Sequence, residues 1–229
     1  MSQELRLRRL LAMAYRGEKH ECSVCESKLN SFPKVQTGQI CPVCGSLERT
    51  RLLTKLLSLD FSEDKLRVLH FSPHQSLSKK LGTFYQHYSS SDFQNPKMDY
   101  QFDIQKINIE SESHDLIICF HVLEHIPDDR KAISELYRVL AKNGTALIQV
   151  PFKEGKTIED PSISDPKKRL ELFGQEDHVR YYSLDGLTQR LNESGFQCEI
   201  VQTLDLLNEQ QAQRLGINKD QIIVKAVKN

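Results

Sequence analysis

Between residues 113 and 152, apolar and polar positions alternate in a way that predicts one complete supersecondary unit. An apolar run at residues 116–120 is typical of a strand that is covered on both faces. After a polar elbow, apolar residues recur at helical spacing, at Ile133, Leu136, Tyr137 and Leu140. A second apolar run at residues 146–150 predicts the return strand, and Pro151 ends it. The pattern therefore predicts a βαβ unit.

Local signals set the ends of this predicted helix. Asp128 is a plausible N-cap, and Asp129 suits the positive end of the helix dipole. Lys142 suits the last turn, and Asn143-Gly144 supplies a left-handed stop. Parallel strands joined in this way carry their functional loops at their carboxyl ends. We call residues 121–127 the elbow and expect it to lie on the functional edge.

The same reasoning predicts further elements on both sides of this unit. Helices are expected at residues 5–15 and 48–59, and a third helix runs from its cap Ser183 to Asn192. Strands are expected at residues 67–71, 85–91, near 100–102, 196–203 and 221–227.

Composition narrows the classes of function. The 229 residues contain 31 Lys+Arg and 31 Asp+Glu, so the formal net charge is zero. This balance argues against binding nucleic acid or a membrane surface mainly through charge. No apolar run reaches membrane-spanning length, and no signal-peptide pattern opens the chain, so a cytoplasmic location is favoured.

Four of the six cysteines form two C-x2-C pairs, Cys22/Cys25 and Cys41/Cys44, separated by fifteen residues. This spacing is typical of a structural zinc site in which four thiolates close a tetrahedron. The alternatives are a pair of disulfides, which is disfavoured without an export signal, and chance spacing. We call this four-cysteine segment the ribbon, and we expect it to dock on its own chain or on a partner protein.

The sequence FHVLEHIPDDRKAISELYRVLAKNGTALIQVPF, residues 120–152, resembles the core of class I S-adenosylmethionine-dependent methyltransferases. The resemblance implies an α/β Rossmann-like fold with a seven-stranded, mostly parallel sheet and an antiparallel last strand. Together with the cysteine spacing and the predicted helices, this gives an expected helix–ribbon–helix module at residues 1–59 and a methyltransferase domain at residues 65–229. An insertion at residues 152–182 lies where a substrate lid is expected.

The resemblance also implies which residues hold S-adenosylmethionine. In the family, acidic residues at the positions of Asp92 and Asp103 contact the ribose hydroxyls and the adenine amino group. The implied cofactor residues are Phe71, Ser72, Pro73, Asp92, Asp103, Ile104, Phe120 and His121. Residues 70–76 contain no glycine, which departs from the family's glycine-rich loop. We expect Ser72 to cap a helix there, with Pro73 in its first position.

The elbow reads H-x-x-E-H, at His121, Glu124 and His125. A zinc-peptidase interpretation requires one continuous helix, and here the pattern spans a strand end. Some methyltransferases bind a divalent ion at this elbow, so a second divalent ion is a further candidate cofactor. The alternative for Glu124 and His125 is hydrogen bonding at the helix entry.

The insertion is rich in polar side chains. Asp177 and His178 can pair as an oriented base, and Arg180 can bind an anionic or hydroxylated substrate. The candidate substrate residues are Thr157, Glu159, Asp160, Arg169, Asp177 and Arg180. The candidate bases, in order, are His178, His125 and His121.

These features predict methyl transfer from S-adenosylmethionine to a hydroxyl group of a small molecule or a sugar. Three features together resemble a bacterial group associated with surface-polysaccharide assembly: the ribbon, the sequence HFSP at residues 70–73, and the sequence GQEDHVRYY at residues 174–182. This resemblance favours a carbohydrate acceptor. The competing hypothesis is a non-catalytic adaptor that keeps the methyltransferase fold, and the loop without glycine favours it.

Overall fold

A computed structural model describes residue 10 and residues 12–229. The helix predicted at residues 5–15 therefore lies largely outside the described residues. Within them, no helix combines the length and apolar character needed to cross a membrane.

The strands fall into short hairpins and one larger sheet. In chain order they are β1 (Arg16–Glu21), β2 (Lys28–Leu29), β3 (Lys34–Val35), β4 (Gly38–Gln39), β5 (Arg67–Phe71), β6 (His87–Ser91), β7 (His114–Phe120), β8 (Leu140–Gln149), β9 (Ile158–Glu159), β10 (Arg180–Tyr181), β11 (Gln197–Gln202) and β12 (Ile222–Val227).

Helices separate most of these strands. In chain order they are α1 (Glu48–Asp60), α2 (Gln75–Phe84), α3 (Asp129–Val139), α4 (Pro166–Phe173), α5 (Leu184–Glu193), α6 (Thr203–Leu206) and α7 (Glu209–Arg214). A single 3-10 turn, Leu123–His125, lies in the elbow.

The larger sheet has the order β11-β12-β8-β7-β5-β6. β5 pairs in parallel with β6 and β7, β7 pairs in parallel with β8, and β12 runs antiparallel to β8. The predicted mostly parallel α/β sheet is confirmed. Its strand count differs from the expected seven, because near residues 100–102 the described chain forms only one bridge, Ser91 with Tyr100.

The sheet core is built from the apolar runs that the sequence indicated. Leu116, Ile117, Ile118 and Cys119 of β7 are fully buried. Helix α3 begins where predicted, since the Asp128 side chain accepts a hydrogen bond from the Lys131 N–H.

The predicted end of α3 is wrong. The helix stops at Val139, and Leu140 is already extended and begins β8. Asn143 does adopt a left-handed conformation, with φ of 62°, but it lies within the strand. Between Leu140 and Thr145 the register of β8 against β7 shifts, so the Asn-Gly pair forms an irregularity of the strand.

The chain divides into two compact units. Unit 1 comprises the described residues up to Asp64, together with His74–Phe84 and Val201–Ile222. Unit 2 comprises Lys65–Pro73, Tyr85–Ile200 and Ile223–Asn229. Unit 1 thus joins the ribbon to α2 and to the connection between β11 and β12, two segments that the sequence analysis assigned to the methyltransferase domain.

Candidate active site and metal centre

The cysteine cluster of unit 1 consists of Cys22, Cys25, Cys41 and Cys44, and its sulfur atoms all lie within 4.8 Å of one another. The Cys22–Cys44 and Cys25–Cys41 sulfur pairs are each 3.7 Å apart. A zinc–sulfur bond of about 2.3 Å places the sulfurs of a regular tetrahedron about 3.8 Å apart. The cluster therefore fits a small zinc module with no open coordination position.

The two C-x2-C turns have matching backbones. The Glu26 N–H donates to the Cys22 carbonyl at 2.7 Å, and the Gly45 N–H donates to the Cys41 carbonyl at 2.8 Å. Both donors have positive φ, 61° for Glu26 and 79° for Gly45. The hydroxyl of Ser46 lies 3.2 Å from the sulfurs of both Cys22 and Cys44, where it can donate to a thiolate.

Arg51, on α1, is fully buried beside this cluster. Its guanidinium donates to the carbonyl oxygens of Ser46, Gln39, Leu215 and Gly216, and it stacks on the Phe32 ring. One side chain thus joins the second cysteine turn to the β11–β12 connection.

Further contacts attach the ribbon to other parts of unit 1. On α2, the Lys80 ammonium donates to the Ser23 carbonyl and to the Glu26 carboxylate. In the β11–β12 connection, Arg214 pairs with Glu21. The ribbon therefore packs against segments of its own chain.

In unit 2, a cavity of about 500 Å³ opens at the carboxyl ends of β5, β6 and β7. This volume is within the range of small-molecule sites, about 300–1,000 Å³. Its lining residues come from the loops after these strands and from the insertion: Phe71, Ser72, Asp92, Phe93, Gln94, Phe102, Asp103, Ile104, Gln105, His121, Val122, His125, Ile126, Pro127 and Asp177.

Six of the eight predicted cofactor residues line this cavity, and Pro73 and Phe120 are not among its lining residues. Asp92 follows β6, and its Oδ1 accepts hydrogen bonds from the N–H groups of Gln94 and Asn95. The Oδ1 atom of Asp103 accepts from the backbone and side chain of Gln105. Both carboxylates are thus oriented by turns.

The loop after β5 differs from the prediction. Helix α2 starts at Gln75, so Ser72 is not its cap and Pro73 is not its first residue. Ser72 instead has a left-handed φ of 44°, and its N–H donates to the Ser91 carbonyl at 2.7 Å. The loop reaches a conformation that favours glycine without containing one, and the Ser72 amide is already bonded to the sheet.

The elbow begins with a second left-handed residue, His121, with φ of 55°. The His121 N–H donates to the Gln149 carbonyl at 2.8 Å. The H-x-x-E-H residues therefore span a strand end and a 3-10 turn, and the continuous helix that a zinc peptidase requires is not formed.

The end of the insertion is attached to the elbow through backbone atoms. The Val179 N–H donates to the Glu124 carbonyl at 2.9 Å. The buried Arg180 guanidinium donates to the carbonyl oxygens of Leu123, Ile126 and Pro127. These bonds bring Asp177 and His178 to the elbow, although about fifty residues separate them from it in sequence.

The elbow cluster consists of Glu124, His125 and His178, whose ligand atoms lie within 4.8 Å of one another. The imidazole rings of His125 and His178 meet edge to face at 4.7 Å. His125 Nδ1 lies 3.2 Å from Asp177 Oδ2, so Asp177 pairs with His125 and not with His178.

The other predicted substrate residues contact their own chain. Glu159 forms ion pairs with Arg190 and, to a lesser extent, Arg180, which hold the pKa of its carboxyl below the ordinary value. Thr157 accepts from the Ser183 N–H, Asp160 accepts from Ser162, and Arg169 donates to the Ile163 carbonyl. Of the six candidates, only Asp177 lines the cavity.

Sequence reasoning missed several lining residues, among them Phe93, Phe102 and Gln105. Phe93 is 66% exposed directly after Asp92, and Phe102 directly precedes Asp103. An aromatic residue next to each predicted cofactor aspartate was the available signal. Helix α4 was also missed, although Asp165-Pro166 and Gly174 are ordinary signals for its start and end.

Comparison with known proteins identifies the class. A family model described as a methyltransferase domain matches residues 36–201, more than half of the chain. The chain therefore belongs to this methyltransferase family. No curated protein sequence matches it.

Solved structures share the fold at low sequence identity. The YcgJ protein of Bacillus subtilis is 16% identical with a TM-score of 0.54, covering 78% of this chain and 98% of its own. A Thermotoga maritima S-adenosylmethionine-dependent methyltransferase, described as a possible histamine N-methyltransferase, is 15% identical with a TM-score of 0.52, covering 80% and 91%. The [4+2]-cyclase SpnF is 11% identical with a TM-score of 0.55, covering 98% and 93%.

Proposed function

We propose that this chain is an active S-adenosylmethionine-dependent methyltransferase whose acceptor is a hydroxyl group of a small molecule or a carbohydrate. The observation that carries the proposal is a single cavity. It brings the oriented carboxylates of Asp92 and Asp103 together with His121, His125 and Asp177. Proteins of this fold include a cyclase and an enzyme described as a possible N-methyltransferase, so the site and not the fold supports this choice.

The residues present fit the cofactor. Carboxylates accept hydrogen bonds through two oxygens, as a ribose diol or an amino group requires, and Asp92 and Asp103 supply them. Phe93 and Phe102 add aromatic surface next to these carboxylates. Phe71, Ser72, Ile104 and His121 complete the proposed cofactor residues that line the cavity. When bound, S-adenosylmethionine supplies an electrophilic methyl group.

The proposed bases are the histidines that line the cavity, His121 and His125. His125 is oriented by Asp177, and His121 is held at the strand end by its backbone. His178 ranked first in the sequence analysis, but its side chain is buried and is not part of the cavity lining. A base must reach the acceptor proton, so His178 takes a supporting role in this proposal.

We also propose that the cysteine cluster holds one structural Zn²⁺. The match between the 3.7 Å sulfur spacing and tetrahedral zinc supports this assignment. The contacts of the ribbon within unit 1 support a role in folding.

Calorimetric titration with S-adenosylmethionine tests the proposal. Asp92→Asn is expected to weaken binding roughly tenfold to a hundredfold, because an amide replaces a charged acceptor. Asp220→Asn, on an exposed residue of unit 1, is the matched control and should bind like the wild type.

Folded protein that fails to bind at millimolar cofactor would remove the enzyme interpretation and favour the adaptor. If binding is found, His121→Gln and His125→Gln test the base. The variant that lacks the base should turn over at least a hundredfold more slowly at saturating cofactor. Because His121 is also a proposed cofactor residue, only His125→Gln is expected to keep the wild-type affinity for S-adenosylmethionine.

A further inference from the structure

We propose that Glu124, His125 and His178 bind a divalent transition-metal ion. Their ligand atoms lie within 4.8 Å of one another. Glu124 is 1% exposed and His178 is 3% exposed, so two of the three ligands are shielded from solvent. Buried polar atoms need hydrogen-bond or ion partners. The hydrogen bonds already made by these three side chains therefore show which of their atoms are available to a metal ion.

The hydrogen bonding of His178 selects the tautomer of its neutral imidazole. Its Nδ1 lies 2.9 Å from the Phe173 carbonyl oxygen, which can only accept, so Nδ1 carries the proton. Nε2 then presents a lone pair. Within the described residues, Nε2 has no hydrogen-bond partner.

Glu124 adds two buried acceptor atoms to this lone pair. Both of its carboxylate oxygens are buried without a hydrogen-bond partner among the described residues. Nδ1 of His121 lies 3.1 Å from Oε1, a contact that is an ion pair only when the imidazole is protonated. Buried acceptors that face one another without a donor are costly, and a cation between them removes that cost.

His125 has the same arrangement as His178. Its Nδ1 lies 3.2 Å from Asp177 Oδ2, which leaves Nε2 as its ligand atom. Histidines that bind metals commonly donate the other ring N–H to a carboxylate or a backbone carbonyl, which fixes the tautomer and the ring orientation. The Phe173 carbonyl is that acceptor for His178, and the Asp177 carboxylate lies within reach of Nδ1 of His125.

The ligand set selects the class of ion. Two imidazoles and one carboxylate suit Zn²⁺, Fe²⁺, Co²⁺ or Ni²⁺, whereas Mg²⁺ prefers oxygen ligands. Three protein ligands leave at least one coordination position. His125 and Asp177 line the cavity, so an acceptor oxygen could reach that position. The binding of an acceptor oxygen at this position rests on the proposed function. Because His125 is then a metal ligand, His121 is the remaining candidate base.

Cobalt titration of the whole 229-residue chain, with zinc loaded at the cysteine cluster, tests the assignment. The expected result is one equivalent of Co²⁺ whose visible d–d bands lack sulfur charge transfer, because the cysteine cluster keeps its zinc. Mg²⁺ in large excess should not displace it. Calorimetry with S-adenosylmethionine on the same samples separates this inference from the proposed function, since each can fail alone.

Ligand variants locate the site. Glu124→Gln and His178→Gln should each weaken Co²⁺ binding at least tenfold. Since both residues are buried, His125→Gln at the cavity surface serves if either fails to fold. His87→Gln removes an exposed histidine of unit 2 and should bind Co²⁺ like the wild type.

Absence of Co²⁺ binding by folded wild-type protein would overturn the inference. The inference would also be overturned if all three ligand variants bound Co²⁺ as tightly as the wild type, or if the protein preferred Mg²⁺ to Co²⁺.

Discussion

Each of the two candidate metal centres lies beside a buried arginine that donates to backbone carbonyl oxygens. Arg51 joins the cysteine cluster to the β11–β12 connection, and Arg180 joins the elbow to the insertion. In both units, a segment distant in sequence is held against a compact turn by the same chemistry. Guanidinium groups suit this task because five N–H donors can satisfy several carbonyls at once.

The two candidate centres differ in their ligand atoms and in whether a coordination position is left open. Four thiolates satisfy a tetrahedral ion completely, so the cysteine cluster suits folding. The elbow cluster has three nitrogen or oxygen ligands and one side on the cavity, so it suits binding and chemistry. Similar scaffolding therefore supports a closed centre in unit 1 and an open one in unit 2.

Loss of the cysteine cluster is the largest expected effect. The double variant Cys22→Ser, Cys41→Ser should lose its zinc and unfold the ribbon, since structural zinc contributes on the order of 10 kcal/mol in zinc-finger peptides. Elemental analysis and hydrogen exchange would measure this, with protection lost in residues 16–59 and 203–217. Cys198→Ser, outside the cluster, should keep the zinc. A double variant that retains zinc would refute the assignment.

Arg51→Leu should be the next most severe change. It leaves several buried carbonyl oxygens without donors, so we expect a loss of about 3–5 kcal/mol in the free energy of unfolding. Urea unfolding followed by circular dichroism measures it. Lys55→Leu on the same helix should change stability by about 0.5 kcal/mol or less. Equal effects of the two variants would show that Arg51 does not hold the connection.

Most of the fold could be predicted from short-range signals. β5 occupies residues 67–71 as predicted, and α3 begins at its predicted cap, because an apolar run and a capping aspartate act locally. The cysteine spacing likewise predicted a cluster that the structure brings together. The end of α3 was mispredicted because Asn143-Gly144 also suits an irregular strand, and only the pairing of β8 with β7 decides between them.

The elbow cluster depends on long-range contacts that the sequence does not display. Glu124 and His178 meet because Val179 and Arg180 bond to the elbow backbone. Their polar side chains indicated function, but a sequence pattern cannot tell whether Arg180 faces a substrate or three carbonyl oxygens. The sequence therefore predicted the elements of the site and left their pairing to the structure.

Arg180→Leu tests the second arginine. We expect a loss of about 2–3 kcal/mol and weaker Co²⁺ binding at the elbow, because Asp177 and His178 are no longer held there. Urea unfolding and the cobalt titration measure the two effects. Arg169→Leu, which removes a donor to one carbonyl, should cost about 1 kcal/mol and preserve Co²⁺ binding. If Arg180 instead binds substrate, its removal would change acceptor affinity and leave stability intact.

The smallest expected effect, counted per pH unit, is a loss of stability of unit 2 in acid. His70 on β5 is buried and bonds to the Tyr88 hydroxyl, and burial lowers its pKa from 6.5 to about 3. The folded protein therefore keeps His70 neutral while the unfolded chain takes up a proton below pH 6.5. The stability that His70 contributes is complete above pH 6.5 and is lost as the pH falls toward 3, by about 1.4 kcal/mol per pH unit.

Urea unfolding across this range, with zinc in excess, measures how steeply the free energy of unfolding changes with pH. This slope should be shallower for His70→Gln than for the wild type. The exposed His87→Gln should keep the wild-type slope. Identical slopes for all three proteins would mean that His70 takes up its proton as readily in the folded protein as in the unfolded chain, and would contradict the prediction.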